Sequence, residues 1–330
     1  MKALVTGGTG FVGGAVVREL LRRGHEVKVL ARATSKTGPL ERLGVKIAWG
    51  DILDGASITR ALEGCDTLFH AAAIYEFWVQ DRELLMRTEV EGSRNAMEAA
   101  LAAGVGRVIY TSSSVVVGEA KGESGNENTA HRGYFLSSYE EAKYRAEQAV
   151  KKYRDRLKIV ILRPAAVIGA GDLKPTGRMI VNLLNGRIPG LFRGDVSFVD
   201  VGDVAAAHVL SAELGRWGED YIVAAETPPL VEVLRTACRL AGVRPPMVVP
   251  RFVARMFATM EEWKAKRTGE PPILPRRMFD VAAHGLRADG GKAARDLGIH
   301  YTPIEDSLRQ AVQWYWEQGL LKRKPACVAR

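Results

Sequence analysis

The feature that most constrains the fold lies at the N-terminus, where an apolar segment runs directly into closely spaced glycines. The first fourteen residues read MKALVTGGTGFVGG, and Gly7, Gly10 and Gly13 have the spacing G-x-x-G-x-x-G. A strand, such a loop and then a helix suit a bound pyrophosphate, because glycine lets the backbone turn tightly, approach phosphate and pack helix against strand. The helix N-terminus adds free N–H groups and a partial positive charge. A glycine-rich turn without a ligand is the alternative, and the strand–loop–helix context favours a nucleotide.

Strand-like and helix-like segments alternate through the first half of the chain. This order is typical of a parallel sheet with helices on both faces, and right-handed crossovers make it a Rossmann-type doubly wound α/β fold. The ligand crevice of such a fold lies at the carboxyl ends of its strands. The predicted strands are Lys2–Thr6, Val27–Ala31, Val45–Trp49, Thr67–His70, Arg107–Ser112 and Ile159–Arg163, and the predicted helices are Val12–Arg23, Ala56–Glu63, Arg82–Ala103 and Tyr139–Lys152.

The alternation ends after Pro164. A helix at Met179–Leu184 lies among turn residues, a strand and a helix return over Phe198–Leu214, and the chain beyond Thr227 is mostly helical. We therefore expect a dinucleotide-binding domain made of residues 1–172 plus about 196–226. A smaller, discontinuous, mostly helical substrate lobe is expected from about 173–195 plus 227–330.

The composition is that of an ordinary globular protein. The 330 residues are 47% hydrophobic and 26% charged, and no run of about 18 apolar residues predicts a membrane span. The net charge is +9, but the bases are scattered apart from residues 322–324, so we expect a solvated basic surface and no nucleic-acid partner. The three cysteines form no CxxC pair and the six histidines no cluster, so we expect a cytoplasmic protein without a metal site.

The residue after the second predicted strand discriminates between two dinucleotides. An NAD site usually places an acid at the end of this strand to bind the ribose hydroxyls, whereas here Ala31 replaces the acid and Arg32 follows, with Lys36 nearby. A guanidinium binds a 2′-phosphate that a carboxylate would repel, so NADP(H) is favoured and NAD(H) stays possible. Alternatively, Arg32 is a solvated loop residue that stacks on adenine. Asp51, after the third strand, either accepts from the adenine amino group or caps a helix.

Tyr139 and Lys143 form a Y-x-x-x-K pair on one face of a predicted helix. A nearby ammonium stabilises a phenolate, so Tyr139 can exchange a proton with an alcohol or a carbonyl while a hydride moves to or from the cofactor. Alternatively, the pair has no catalytic role and is a partly buried aromatic residue beside a surface lysine. The dinucleotide-binding loop in the same chain favours the catalytic interpretation. A hydroxyl of Ser112, Ser113 or Ser114, at the end of the fifth strand, either positions the substrate oxygen or caps a turn.

Taken together, these motifs resemble the extended short-chain dehydrogenase/reductases, which include NDP-sugar epimerases, dihydroflavonol reductases and hydroxysteroid dehydrogenases. The resemblance covers most of the chain. A dihydroflavonol-reductase-like branch is indicated by the run Asp172–Pro175 and the C-terminal half. The matching pieces are Thr6–Gly13, Gly50–Ile52, His70–Ala73, Thr111–Ser113, Tyr139 with Lys143, Arg163–Pro164 and Val201–Ala205.

The resemblance implies a role for each matching residue. Ser113, Tyr139 and Lys143 are the expected catalytic residues, and Lys143 also holds the nicotinamide ribose. Trp78 and Ser114 are expected on the substrate side, where aromatic residues wall an apolar pocket; for Trp78, packing under a neighbouring helix is the alternative. The expected cofactor contacts are Gly7, Gly10, Phe11, Val12, Arg32, Asp51, Ile52, Ala71, Ala72, Ala73, Tyr139, Lys143 and Pro164.

Two departures from the family pattern bear on function. Glu89 stands where the family often has an asparagine that orders a proton-relay water. NDP-sugar enzymes usually carry an arginine for the nucleotide phosphates before the segment that is Val201–Ala205 here. Arg193 is near that place, but Asp195 follows it, and an acid beside a diphosphate is unfavourable. We therefore expect an NADP(H)-preferring reductase acting on a carbonyl of a medium-sized, partly apolar substrate. An NDP-sugar epimerase or dehydratase with tightly bound NAD is the alternative, and related enzymes suggest a homodimer through the helices near residues 82–103 and 139–152.

Overall fold

A seven-stranded, wholly parallel sheet organises the computed structural model, which describes residues 1–328. The strand order is β3-β2-β1-β4-β5-β6-β9, so the chain reverses its direction of travel between β1 and β4. The strands are β1 (Lys2–Thr6), β2 (Glu26–Ala31), β3 (Lys46–Trp49), β4 (Thr67–His70), β5 (Arg107–Thr111), β6 (Lys158–Pro164), β7 (Ala166–Ile168), β8 (Phe198–Asp200) and β9 (Asp220–Val223). The sheet confirms the predicted doubly wound fold, and the six predicted strands of the first half are present with their end residues unchanged or shifted by one.

Helices cover both faces of the sheet, because alternate strand residues point to opposite sides. Val5 and its equivalents pack against α1 and α8, whereas Leu4 and its equivalents pack against α3, α5 and α6. The helices are α1 (Phe11–Arg22), α2 (Gly38–Glu41), α3 (Gly55–Leu62), α4 (Arg82–Met86), α5 (Gly92–Ala102), α6 (Ser138–Lys151), α7 (Pro175–Leu184), α8 (Val201–Glu213), α9 (Leu230–Ala241), α10 (Arg251–Thr268), α11 (Arg276–His284), α12 (Gly291–Leu297) and α13 (Ile304–Glu317).

The predicted helix Arg82–Ala103 is interrupted. Between α4 and α5 the residues Arg87–Glu91 form a π-helix, a wider turn that inserts into α-helices frequently at functional sites. No periodicity in the sequence marks this turn, because Met86, Val90 and Met97 have the spacing of one face of a continuous α-helix. The turn contains Glu89, the residue that departs from the family pattern.

A second core lies outside the main sheet. The short strands β7 and β8 pair in parallel, and the buried side chains of Ile168 and Phe198 join a cluster formed by α7, α9, α11 and α13. The sequence predicted a mostly helical lobe from about 173–195 plus 227–330, and the division of the chain into two domains at these boundaries stays a prediction. Among residues 1–328, no helix has an apolar stretch long enough to cross a bilayer.

A buried ionic cluster ties α6 to the sheet. Glu147 accepts hydrogen bonds from Arg163 of β6 (2.7 and 3.0 Å) and from the Ser112 hydroxyl (2.7 Å). Burial alone would raise the pKa of Glu147, but Arg163 and Lys151 lower it to about 2. Removing one partner of such a pair leaves the other charge buried without compensation, which is strongly destabilising.

We therefore expect Glu147→Gln to lower the free energy of unfolding by about 3 kcal/mol at neutral pH. Glu141→Gln, on the same helix but paired with the exposed Arg82 and Arg145, should cost less than about 1 kcal/mol. The Glu147 contribution is complete above the unfolded pKa of 4.5 and is lost as the pH falls towards 2. Denaturant titrations at several pH values should show the free energies of unfolding of wild type and Glu147→Gln converging in acid. A difference between them that does not change with pH would contradict the role given to Glu147.

Candidate active site

One cavity of about 510 Å³ opens at the carboxyl ends of the strands, beside the neighbouring strands β1 and β4. It gathers residues from many separate segments of the chain, as expected for a doubly wound sheet. Of the sequence-predicted site residues, Trp78 alone does not line it. The lining includes Gly7, Gly10, Phe11, Val12, Arg32, Asp51, Ile52, Ala71, Ala72, Ala73, Ser113, Ser114, Tyr139, Lys143 and Pro164.

The glycine loop brings bare backbone to the floor of this cavity. Gly7 has φ 72°, and a Cβ there would lie 2.7 Å from the backbone of Ala71 and Ala72. A Cβ on Gly13 would lie 2.3 Å from the Gly7 carbonyl oxygen, so only glycine lets α1 approach β1 this closely. Gly10 provides no side-chain cap for α1, which leaves the first N–H groups of the helix for a ligand. This cradle fits the pyrophosphate of a dinucleotide.

Arg32 and Asp51 lie at the other end of the cavity. Arg32 is exposed immediately after β2, with its side chain on the cavity wall. Asp51 accepts a hydrogen bond from the Leu53 N–H (2.9 Å), while the N-cap of α3 is Asp54. The capping role considered for Asp51 therefore belongs to Asp54, and Asp51 keeps one carboxylate oxygen for a ligand.

Tyr139 and Lys143 lie one turn apart on α6, and both are buried. The Tyr139 ring packs between Tyr75 and Phe77, with ring centroids 5.1 and 5.8 Å away. The Lys143 ammonium donates to the carbonyl oxygen of Thr111 at the end of β5 (2.9 Å). The helix begins here because Ser137 caps it, accepting from the Glu140 N–H (3.1 Å).

Opposing effects set the pKa of Tyr139. Burial raises it, Lys143 lowers it, Glu89 raises it and a hydrogen bond with Ser113 lowers it, with a net value of about 12. Burial lowers the pKa of Lys143, but Glu89, with Tyr110 and Tyr139, more than compensates, and the net pKa lies above the ordinary value. At neutral pH the structure therefore presents a protonated phenol beside an ammonium ion.

The three serines after β5 have different surroundings. Ser112 donates to Glu147 and belongs to the ionic cluster behind α6. Ser113 lowers the pKa of Tyr139, lines the cavity, and accepts from the Val115 N–H at 3.5 Å. The buried Ser114 hydroxyl also lines the cavity and has no hydrogen-bond partner within residues 1–328. This arrangement favours Ser113 as the serine that acts with Tyr139, and it leaves Ser114 free for a substrate.

Glu89 is a site residue whose function sequence reasoning missed. Its carboxylate, 1% exposed, lies 3.3 Å from the Lys143 ammonium and accepts from the Ile74 N–H at 2.6 Å. The π-helix positions the side chain between α6 and the segment after β4. From the sequence we noted only that Glu89 replaces an expected asparagine. The contact between Glu89 and Lys143 depends on the π-helix, which the local sequence pattern does not predict.

Two aromatic residues and one acid form the far end of the cavity. Tyr75 and Phe77 line it, whereas their neighbour Trp78 does not. Asp172 also lines it, buried, with one carboxylate oxygen unpartnered among the described residues. Burial raises the pKa of Asp172 to about 7. In the sequence Asp172 belonged only to a branch-typical run, without a role.

We expect Glu89→Gln to lower the pKa of Tyr139, because a carboxylate that raises it is replaced by a neutral amide of the same shape. The pH at which alcohol oxidation reaches half its plateau should fall by about one unit. Glu91→Gln, an exposed neighbour in the same π-helix, is the matched control. An unchanged pH–rate profile in Glu89→Gln would mean that this carboxylate does not control the proton of Tyr139.

Known proteins resemble this chain over nearly its whole length. The model of the NAD dependent epimerase/dehydratase family matches residues 3–224. A Synechocystis protein provisionally named dihydroflavonol 4-reductase is 35% identical over 329 residues, covering 96% of this chain and 95% of that protein. Sterol demethylase protein B of Methylococcus capsulatus is 33% identical over 333 residues, covering 97% and 100%. The crystal structure of gox2253 is 36% identical, with a TM-score of 0.85 and coverage of 97% and 99%.

Proposed function

Since this chain belongs to the NAD dependent epimerase/dehydratase family, we propose that it is an NADP(H)-preferring oxidoreductase that reduces a ketone or aldehyde of a medium-sized, partly apolar substrate. The observation that carries the proposal is the buried Tyr139, which lies between the Lys143 ammonium and an aromatic wall at one end of a dinucleotide-sized cleft. A nicotinamide dinucleotide, whose pyrophosphate Gly7, Gly10 and Gly13 would hold, would supply the hydride when bound.

The chain's own side chains manage the proton. Tyr139, protonated at neutral pH, donates its phenolic proton to the oxygen of the carbonyl as that oxygen gains charge. Lys143 stabilises the resulting phenolate, and its bonds to Glu89 and the Thr111 carbonyl hold the ammonium in place. Ser113 hydrogen-bonds the same oxygen and orients it towards the phenol. Burial excludes water from this transfer.

The far end of the cavity supports the substrate class. Tyr75 and Phe77 offer an apolar wall, while Ser114 and Asp172 supply buried polar atoms that lack partners among residues 1–328. Apolar walls with a few convergent polar groups are typical of small-molecule sites. Two of the similar proteins are named for a flavonoid reductase and for sterol demethylation, names that accord with a ring-containing, mostly apolar substrate.

The alternative is an NDP-sugar epimerase with retained NAD. Such a site needs cationic groups for a diphosphate beyond the nicotinamide. Neither Arg193 nor Asp195 lines the cavity, and Asp195 pairs with Arg287 at 2.7 Å. The reductase is therefore the function that these residues support better.

We expect Tyr139→Phe to lower kcat for carbonyl reduction by at least about 100-fold, since the proton donor is removed. NADPH oxidation should be followed with aldehydes, ketosteroids, flavanonols and UDP-sugars, with product identification. Tyr144→Phe, in the same helix but packed against His131 and Phe135, should retain activity. Full turnover by Tyr139→Phe would refute the catalytic assignment, and conversion of a UDP-sugar without net NADPH consumption would favour the epimerase.

We expect Arg32→Asp to lower the ratio of kcat/KM for NADPH over NADH by about 10- to 100-fold, because a carboxylate repels the 2′-phosphate. Lys36→Asp is the charge-matched control, since Lys36 is exposed nearby and does not line the cavity. Equal ratios in wild type and Arg32→Asp would remove the basis for NADP preference.

A further inference from the structure

The helix α10 reverses the usual orientation of an amphipathic surface helix. Small residues face the protein: Ala254, Ala258 and Ala265 are buried. Large apolar residues face solvent, with exposed fractions of 74% for Phe252, 68% for Met256, 55% for Met260 and 56% for Trp263. We call these four residues the outer stripe. Contiguous exposed apolar surface of this kind marks an interaction site.

The outer stripe forms one continuous ridge. Phe252, Met256 and Met260 are four residues apart, and Trp263 follows three residues later, so all four lie on one helix face. An 18-residue helix is about 27 Å long, and the ridge occupies most of that length. The ridge lies opposite the alanines, so it points directly away from the body of the protein.

Basic side chains flank the ridge on both sides. Arg255 and Lys266 lie on one flank and Lys264 on the other, and the Arg267 guanidinium covers the Trp263 ring at 3.6 Å. The two acids of the helix are turned away: Glu261 is buried and accepts from the Ile273 N–H (3.1 Å), and Glu262 accepts from the Arg276 N–H (2.9 Å). The outward face is therefore apolar along its centre and positive along its edges.

A second cavity, of about 590 Å³, adjoins this face. Its charged lining is mainly basic, with Asp280 as the acid between the arginines. The cationic side chains that line it are Lys121, Arg251, Arg255, Arg276 and Arg277. A phosphate group is the natural ligand of such a surface.

We propose that α10 docks the protein on an anionic lipid bilayer, with the outer stripe inserted at the level of the headgroups and the flanking bases on lipid phosphates. Helices that lie in a membrane interface have an apolar face and a Lys/Arg-rich polar margin, as α10 has. A second copy of the chain fits less well, because antiparallel pairing of two such helices brings their bases together with no acid available on the outward face. The proposal does not depend on which substrate the enzyme reduces.

Docking would place the bilayer close to the candidate active site. The helix α11 packs against α10, and its Val281 belongs to the buried cluster that includes Phe77 and Tyr139. One helix thus separates the outer stripe from the aromatic wall.

Flotation of the full-length protein with lipid vesicles tests the proposal. Wild type should float with vesicles of equimolar phosphatidylcholine and phosphatidylglycerol, more weakly at high salt, and not with phosphatidylcholine alone. The Met256→Glu, Met260→Glu double variant should lose at least about tenfold in partition coefficient. The charge-matched control is Leu43→Glu with Leu214→Glu, both at exposed apolar positions elsewhere, and it should float as wild type does. Circular dichroism checks that each variant is folded.

A second variant tests the contribution of the flanking basic residues to vesicle binding. Lys264→Glu with Lys266→Glu keeps the stripe intact and should weaken flotation with the anionic vesicles by at least about tenfold. Flotation of the methionine variant at the wild-type level would overturn the proposal. The proposal would also be overturned if wild type did not float with vesicles but formed a dimer in sedimentation analysis that the methionine variant did not form. The outer stripe would then be the interface with a second copy of the chain.

Discussion

The structure depends on the close backbone approach between α1 and β1. With no Cβ at Gly13, the first turn of α1 lies against the Gly7 carbonyl, and with none at Gly7 that loop lies against the backbone of Ala71. The contact aims the helix N-terminus into the crevice at the carboxyl ends of β1 and β4, the two parallel strands after which the chain crosses over to opposite edges of the sheet. The cradle that fits a pyrophosphate follows from that one juxtaposition.

Two buried ion pairs on successive turns of α6 fix the position of Tyr139. Lys143 is paired with Glu89 on one side, and Glu147 is paired with Arg163 on the other. Buried pairs cost desolvation and are weak evidence for stability, but each has a narrow range of acceptable geometries. Because both pairs lie within two turns of Tyr139, the helix can neither slide nor rotate without leaving a charge unpaired. The phenol is therefore held at one place relative to the cofactor cleft.

Much of this could be predicted from the sequence, because the decisive signals are local. Strand, glycine loop and helix follow each other directly, and Tyr139 and Lys143 are four residues apart. The missed features depend on contacts between distant segments. Glu89 reaches Lys143 through a π-helix that the apolar pattern does not register, and Asp172 acquires its role from its burial. Phe77 rather than Trp78 lines the cavity, and the conformation of the irregular segment after β4 decides this, not a periodic pattern in the sequence. The pattern of α10 marks an amphipathic helix but not that its large residues face outward.

The electrostatics of Tyr139 bear on the direction of the reaction. Burial and Glu89 raise its pKa, while Lys143 and Ser113 lower it, and the balance of about 12 keeps the phenol protonated at neutral pH. An enzyme whose first step oxidises an alcohol needs this tyrosine as a base, and a family asparagine in place of Glu89 would leave the Lys143 charge uncompensated and the phenolate more accessible. A carboxylate at that position has the opposite effect, because it raises the pKa of Tyr139 and favours the protonated phenol. The protonated phenol is the proton donor that carbonyl reduction requires.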